Sequence, residues 1–102
     1  MLPRPHRHDF YNLTTFDAGH SHRMFGSTGY EIPSGFSHFH VYQGLTTVDN
    51  AHVHGFSGIT GLAIPLPGGS HTHEYLGPTT FDFGHRHFYR ALTGNAISGR
   101  LF

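Results

Sequence analysis

The sequence predicts an all-β fold made of three tandem β-hairpin repeats of 32–33 residues, with six strands in total. Three observations favour this class. Histidines recur as regularly spaced His-x-His pairs, the residues that the repeats share fall at every second position, and aromatic residues, threonine and glycine are abundant where no segment shows a helical period. All twelve histidines belong to six pairs: His6/His8, His20/His22, His38/His40, His52/His54, His71/His73 and His85/His87.

The repeat boundaries follow from the spacing of the pairs. The first histidines of successive pairs are separated by 14, 18, 14, 19 and 14 residues, so one repeat holds two pairs. We therefore expect a single domain, 1–102, with a short N-terminal arm, 1–5, followed by repeats 6–37, 38–70 and 71–102. Two further motifs recur once in each repeat, Thr-Thr-x-Asp and Thr-Gly: 14–17 and 28–29, 46–49 and 60–61, and 79–82 and 93–94.

Each histidine pair begins a predicted strand of nine residues. The shared pattern is His-x-His-x-aromatic-x-small-x-Thr, which places two imidazoles, a large ring and a threonine on one face of an extended segment. Phe10, Tyr42, Phe56, Tyr75 and Tyr89 are predicted core residues at the aromatic position, where the second strand of the first repeat carries a methionine instead.

The links between strands differ in length and composition. The link 15–19 and its equivalents are short enough for a hairpin within each repeat. Asp17, Asp49 and Asp82 lie in these links, where we expect them to shape the turn, with an outer-shell contact to a histidine ring as the alternative. The longer links 29–37 and 61–70 contain prolines, which disfavour a further central strand.

The pairing of hairpin strands predicts where the histidines meet. Because the strands of a hairpin are antiparallel, the two pairs of one repeat lie at opposite ends. Three equivalent repeats then suggest a pseudo-threefold barrel or prism with one layer of histidines at each end, although a solenoid-like sheet is an open alternative that would group the pairs differently.

Histidine in this pattern indicates metal binding through ring nitrogens. Two nitrogens from one pair do not complete a site, so further ligands must come from other strands. All twelve histidines are candidate ligands, for a transition metal ion such as Zn, Cu, Ni or Co. A hydrogen-bonded histidine ladder and a pH-responsive assembly surface are the alternatives.

Composition narrows the partners. Six arginines balance six acidic residues, which gives no electrostatic case for nucleic acid or an anionic membrane. No cysteine, secretory signal or membrane-spanning apolar run is present, so the location is open between the cytoplasm and the spore or cell surface. A weakly charged, aromatic-rich β chain tends to associate, which predicts a homo-oligomer or filament.

The repeat resembles the YmaF family, small histidine-rich bacterial proteins known mostly from spore-forming Firmicutes. The resemblance is carried by repeated His-x-His-x-aromatic-x-Gly-x-Thr followed by Thr-Gly-x-Ala-Ile-Pro, and is closest over 52–73. It covers nearly the whole chain and implies a bacterial source with the histidine pairs as ligands. The first repeat departs from it at Met24 and Glu31, and the last lacks the proline, so these copies are expected at an edge or as caps.

Three function classes are compatible with these features. A structural protein whose metal ions crosslink strands or subunits is the reading we favour, and a metal store with exchangeable sites is the alternative. A cupin-like metalloenzyme is the third class, but catalytic sites are usually single and asymmetric, whereas these pairs are multiple and nearly identical. We therefore predict no catalytic residues.

Overall fold

A computed structural model describes residues 5–98 and confirms the all-β class. Residues 5–98 contain no α-helix, and none of their helical segments could cross a bilayer. The predicted arm 1–5, apart from Pro5, and the last four residues of the third repeat lie outside the described residues. The strands are β1 (His6–Leu13), β2 (Arg23–Ser27), β3 (Ile32–Ser34), β4 (Ser37–Phe39), β5 (Val41–Leu45), β6 (Gly55–Ile59), β7 (Ile64–Pro65), β8 (His71–Thr72), β9 (Glu74–Pro78), β10 (Phe88–Leu92) and β11 (Ala96–Ser98), with a 3₁₀ turn at Pro67–Gly69.

Each repeat contributes one central antiparallel hairpin. These hairpins are β1–β2, β5–β6 and β9–β10, and each contains five pairs of residues that lie opposite each other. A two-residue turn follows Asp17, Asp49 and Asp82, which pair through the backbone with the histidine three positions later. Both central residues of every turn have positive φ, as in the turns that match the twist of paired strands.

Smaller hairpins join the repeats. β3 pairs with β4 and β7 with β8, so the proline-containing links do form short strands, with Pro33 and Pro65 in two-stranded sheets that have only edge strands. The equivalent segment of the last repeat, β11, pairs with the start of β1. The third repeat is thereby joined to the first, and the two do not form separate ends of the array.

The predicted nine-residue strands are shorter in the structure. β1 spans eight residues and the other five central strands span five, because the chain bends at most of the histidine pairs. His20, His52 and His85 form only isolated bridges with the turn aspartates, and His40 and His73 lie between a short link strand and a central strand. At His40 and His73 the chain changes its pairing partner, from the preceding link strand to the second strand of its own hairpin.

The strands do not close into a barrel or extend into one solenoid-like sheet. Neighbouring hairpins exchange backbone hydrogen bonds near their two ends, as between β10 and β1, where the Thr15 amide donates to Phe88 and the Gly94 amide to Asp9. Between β2 and β5 a cleft of about 370 Å³ opens beside Val41 and Tyr42. We attribute the gaps to the six large side chains that fill the interior midway and keep the hairpins too far apart for a continuous ladder.

The core lies between the histidine layers. It consists of the five predicted aromatic residues together with Met24, all at most 5% exposed. The alternation of β1 shows how the sequence sets this face: His6, His8, Phe10 and Asn12 are buried, and the residues between them are half-buried or exposed.

Candidate metal centre

The twelve predicted histidines are brought together into two groups of six. In each group the six ring nitrogens lie within 4.8 Å of one another. Every repeat contributes one pair to each group, so the two layers expected from antiparallel hairpins are present in the structure. Cluster A consists of His6, His8, His38, His40, His71 and His73, and cluster B of His20, His22, His52, His54, His85 and His87.

The Nε2 atoms face inward at hydrogen-bonding distance from one another. In cluster A the Nε2 atoms of His6, His38 and His71 form a triangle with 3.1 Å sides. In cluster B the Nε2 of His52 lies 3.1 Å from that of His54 and 3.2 Å from that of His85. The second histidine of each pair is at most 1% exposed, whereas the first histidine of each pair is at least 7% exposed. The outer face of each cluster is therefore the side nearer to solvent.

Backbone carbonyls fix the tautomer of the rings. The Nδ1 of His8 lies 2.8 Å from the carbonyl oxygen of Gly94, and the Nδ1 of His22 lies 3.0 Å from that of Thr47. Because a carbonyl only accepts, Nδ1 must carry the proton and the neutral ring keeps a bare lone pair on Nε2. The same contact is made by nine histidines: His8, His20, His22, His40, His52, His54, His73, His85 and His87.

The Nε2 lone pairs of cluster B point at one another. All six rings of cluster B are held with Nδ1 protonated, yet the Nε2 atoms of five of them, all but His22, form contacts of 3.1–3.2 Å with one another. Two acceptors at that distance repel unless a proton or a cation lies between them. In addition, the Nε2 atoms of His22, His40 and His73 are buried without a hydrogen-bond partner. An uncompensated buried acceptor is costly, and a metal ion at the centre would satisfy it.

Protonation is the less favourable way to relieve the repulsion. Burial lowers the pKa of His8 and of His38 to about 4, and lowers that of His73 to about 3, with the neighbouring imidazoles adding to the effect. Burial likewise lowers the pKa of His22, His40, His71 and His87. These rings are neutral at pH 7, which is the form that binds a metal.

The motif threonines hold the histidine backbone in place. The Thr14 hydroxyl accepts a hydrogen bond of 2.9 Å from the amide of His22, and the Thr28 hydroxyl accepts one of 3.1 Å from the amide of His8. Equivalent bonds bind the other inner histidines to the threonine on the paired strand. This explains why threonine recurs six positions after the second histidine of each pair. Its hydroxyl accepts a hydrogen bond from the amide of a histidine in the other cluster.

The turn aspartates belong to the surroundings of cluster B. The Oδ2 atom of Asp49 lies 3.3 Å from the Nδ1 of His22, and Asp82 and Asp17 lie 3.4 and 3.5 Å from His54 and His87. The same oxygen accepts a hydrogen bond from the threonine two residues earlier. Each of these Nδ1 atoms also donates to a carbonyl oxygen, so the aspartates lie at the outer-shell position and keep the threonine contact within the turn, in line with the turn-shaping role that we expected. A hydrogen bond from Thr47 is the main reason that the pKa of Asp49 is lowered.

Cluster A has a different surrounding charge. Its inner rings donate to the carbonyls of Gly94, Gly29 and Gly61, and its one nearby carboxylate is Glu31 among the described residues. Glu31 accepts a 3.0 Å hydrogen bond from the amide of His6 and lies 3.7 Å from its Nδ1. Burial raises the pKa of Glu31, but this hydrogen bond and the nearby histidines leave it lowered overall.

Sequence reasoning missed the outer-shell carbonyls. Those of Thr15, Thr47 and Thr80 serve cluster B, and those of Gly29, Gly61 and Gly94 serve cluster A. The signal was present, because Thr-Thr-x-Asp and Thr-Gly recur in all three repeats. The glycines were assigned only to strand ends, and the partner of each carbonyl lies in another repeat, which spacing alone does not identify.

Comparison with known proteins gives one match. The sequence profile described as "YmaF: Spore germination protein GerY/YamF" matches residues 3–94. No curated protein and no solved structure matches the chain.

Proposed function

The chain belongs to the YmaF family, and from its own six His-x-His pairs we propose that it is a metal-binding structural protein. Each cluster would hold one transition metal ion, bound by Nε2 atoms from all three repeats. The observation that carries this proposal is the orientation of the rings. In all six histidines of cluster B, Nδ1 donates its proton in a hydrogen bond to a backbone carbonyl, which leaves six Nε2 lone pairs aimed at one centre.

A structural role is supported by the way the ions would connect the chain. Each cluster draws two histidines from every repeat, so one ion would crosslink all three. The interior between the clusters is small, with six buried hydrophobic residues among those described. A domain with so small a core gains from added ligands, and binding free energy at a site absent from the unfolded chain is folding free energy.

Chelation tests this role directly. We expect protein purified without a histidine-affinity step to carry close to two transition metal ions per chain by elemental analysis. Removing them with EDTA should lower the melting temperature by more than about 10 °C, since losing two ions removes several kcal/mol from a domain of this size. A preparation that binds no transition metal even on titration would refute metal binding.

Metal storage is the alternative function, and one observation favours it. In both clusters the first histidine of a pair can be half-buried, as His38, His71 and His85 are, and these rings offer a route from solvent to the site. Exchangeable ions would leave with little structural effect. An unchanged melting curve after complete removal of the metal would therefore favour storage over the structural role.

A metalloenzyme is the class that the geometry supports least. Catalytic metals keep a coordination position for water or substrate. Here six nitrogen donors converge on each centre, which already meets the needs of any of the candidate ions. We propose that the protein has no catalytic activity of its own.

We further propose that the chain assembles with copies of itself through the outward faces of its three central hairpins. The outward faces of the hairpins carry large apolar side chains that are more than half exposed, including Tyr11 at 63%, Leu45 at 68% and Leu76 at 58%. Equivalent patches on three faces suit contacts between identical subunits that propagate into an oligomer or filament. Sedimentation that shows only monomers, with and without metal, would contradict assembly.

The family description, spore germination protein, gives a setting for this function. A metal-crosslinked β structure with little charge and many exposed aromatic residues fits a protein of the spore, where it would act as a scaffold or a metal-dependent component of germination. Deletion of the gene in a spore-forming host, followed by assays of germination and of spore metal content, tests this setting.

A further inference from the structure

We infer that each histidine cluster is a six-coordinate octahedral site that prefers Ni²⁺ to Zn²⁺. This inference rests on the proposed metal binding and goes beyond it, because it specifies the coordination geometry and the class of ion. Three features of the clusters support it: the arrangement of the rings, the size of the space that they enclose, and the chemistry of six neutral imidazoles.

The ring contacts have the connectivity of an octahedron. In cluster A, ring centroids lie 4.5–5.2 Å apart for every combination except His6 with His73, His8 with His38, and His40 with His71. An octahedron has three such opposed pairs of corners. A trigonal prism is excluded because each ring would then lack contact with two others and not with one.

Cluster B has the same connectivity. Its rings lie 4.8–5.0 Å apart in every combination except three. Each excluded pair joins the first histidine of one repeat to the second histidine of another, as in cluster A. The excluded pairs are His20–His54, His22–His85 and His52–His87.

The enclosed space has the size of a six-coordinate ion. An octahedron with the observed edge of 3.1 Å has its centre about 2.2 Å from each corner, slightly beyond the 2.0–2.1 Å of a tetrahedral zinc–imidazole bond. All ligand atoms of a cluster lie within 4.8 Å of one another, a limit that accommodates the span of about 4.4 Å between opposite corners of such an octahedron.

The donors decide between the candidate ions. Zinc has no geometric preference of its own and is almost always four-coordinate in structural sites. An ion bound to four of the six histidines would leave two buried Nε2 atoms without a partner, and His40 and His73 already lack any other hydrogen-bond acceptor or donor there. Ni²⁺ has partly filled d orbitals and gains ligand-field stabilisation from six nitrogen donors in an octahedron, whereas d¹⁰ Zn²⁺ gains none, so a site with six equivalent imidazole nitrogens favours Ni²⁺.

Competition between metals provides the test. Metal-free protein, prepared with EDTA, is titrated with Ni²⁺ and Zn²⁺ separately and together, with a chelator of known affinity as reference. We expect two Ni²⁺ per chain and at least a tenfold preference for Ni²⁺ over Zn²⁺. Loading with Co²⁺ should give the weak visible absorption of an octahedral ion, and X-ray absorption should show six nitrogen neighbours.

A variant with four histidines in one cluster serves as the matched control. Replacing His38→Ala and His71→Ala removes two half-buried ligands of cluster A and leaves cluster B intact as an internal reference. The Ni²⁺ preference should be lost at cluster A and kept at cluster B. The octahedral site would be overturned if the unaltered protein bound two ions tightly but showed the intense absorption of tetrahedral Co²⁺ and only four nitrogen neighbours. Metal binding itself would still hold in that case. Absence of binding would overturn both.

Discussion

Inside the hairpins each of the five core aromatic residues faces a glycine or an alanine. Phe10 lies opposite Gly26, Tyr42 opposite Gly58, and Phe56 opposite Gly44. A β-carbon at Gly44 would lie 2.8 Å from the Cζ atom of Phe56, so the ring occupies the space that a side chain would need. The glycine two positions after Tyr42, Phe56 and Tyr75 is thus a packing requirement for the neighbouring strand.

Gly44→Ala is therefore expected to destabilise the protein by about 1–3 kcal/mol, because the displaced Phe56 ring is part of a close-packed core. Gly55→Ala is the matched control, since its β-carbon would lie 3.5 Å from Thr80 in ordinary contact. Urea denaturation of both variants measures the difference. Equal stabilities would contradict the packing role of Gly44.

The outer-shell carboxylates also act at the scale of single residues. We expect Asp49→Asn to weaken metal binding at cluster B by about tenfold, because a carboxylate beside Nδ1 raises the basicity of the ligand ring. The effect should be at the low end of the usual range, since the carboxylate is 41% exposed.

Metal titration followed by calorimetry measures this change. Asp9→Asn provides the control, because Asp9 is exposed on the outward face and accepts a hydrogen bond from Ser27, away from both clusters. An unchanged affinity in the Asp49 variant would mean that the carbonyl of Thr47 alone orients His22.

At the scale of elements, the turns of the three hairpins differ in whether the second central residue is glycine. The second central residue is Gly19 with φ 84°, Gly84 with φ 82° and, in the second repeat, Ala51 with φ 66°. Alanine is strained in this left-handed region, whereas glycine adopts it freely. The turn 49–52 nevertheless forms, since the Asp49 and His52 backbones exchange hydrogen bonds of 3.1 and 3.2 Å.

Ala51→Gly should stabilise the protein by about 1 kcal/mol through relief of this strain. The reciprocal change, Gly84→Ala, should destabilise it by a similar amount. Thermal melting of the two variants beside the unaltered chain measures both. If the two substitutions shift the melting temperature in the same direction, backbone strain does not control these turns.

At the scale of the whole molecule, every histidine cluster is completed by residues of other repeats. His8 donates to the carbonyl of Gly94, 86 positions away, and His87 donates to that of Thr15. β11 pairs with β1 in the same way that β3 pairs with β4. The ring of repeats therefore depends on contacts between the two ends of the chain, and a cluster cannot form until all three repeats are in place.

The pH dependence of the metal-free protein follows from the buried histidines. A histidine whose pKa is lowered on folding contributes stability above its unfolded pKa, and this contribution is lost as the pH falls. For His8 and His38 the loss occurs between pH 6.5 and about 4, and for His73 it continues to about 3. We expect the free energy of unfolding of EDTA-treated protein to be constant above pH 7 and to fall steeply below pH 6.5.

Urea titrations between pH 8 and pH 4 measure this dependence. Carboxylates with lowered pKa values, Glu31 and Asp49, lose their contribution only at more acidic pH, so they do not account for a decline that begins near pH 6.5. A stability that stays level down to pH 4.5 would show that the histidines are not held neutral in the fold.

The sequence by itself determined the strand period, the repeat, the aromatic core and the division of the histidines between two ends. These features depend on alternation along the chain and on antiparallel pairing within a hairpin, which are local properties. Where local pairing failed as a guide, at the shortened strands and the proline-containing links, the chain bends to pair with a neighbouring repeat.

Only the tertiary structure decided how the repeats meet. The direction in which the repeats follow one another determines two sets of contacts. One is the contact of His6 with His38 and of His38 with His71, and the other is the contact of Asp17 with His87 of the third repeat. A periodic sequence specifies identical units equally well in either order. The packing of six large side chains and the fit of carbonyls to Nδ1 atoms across repeats select one arrangement, because those contacts exist only when the third repeat is paired with the first.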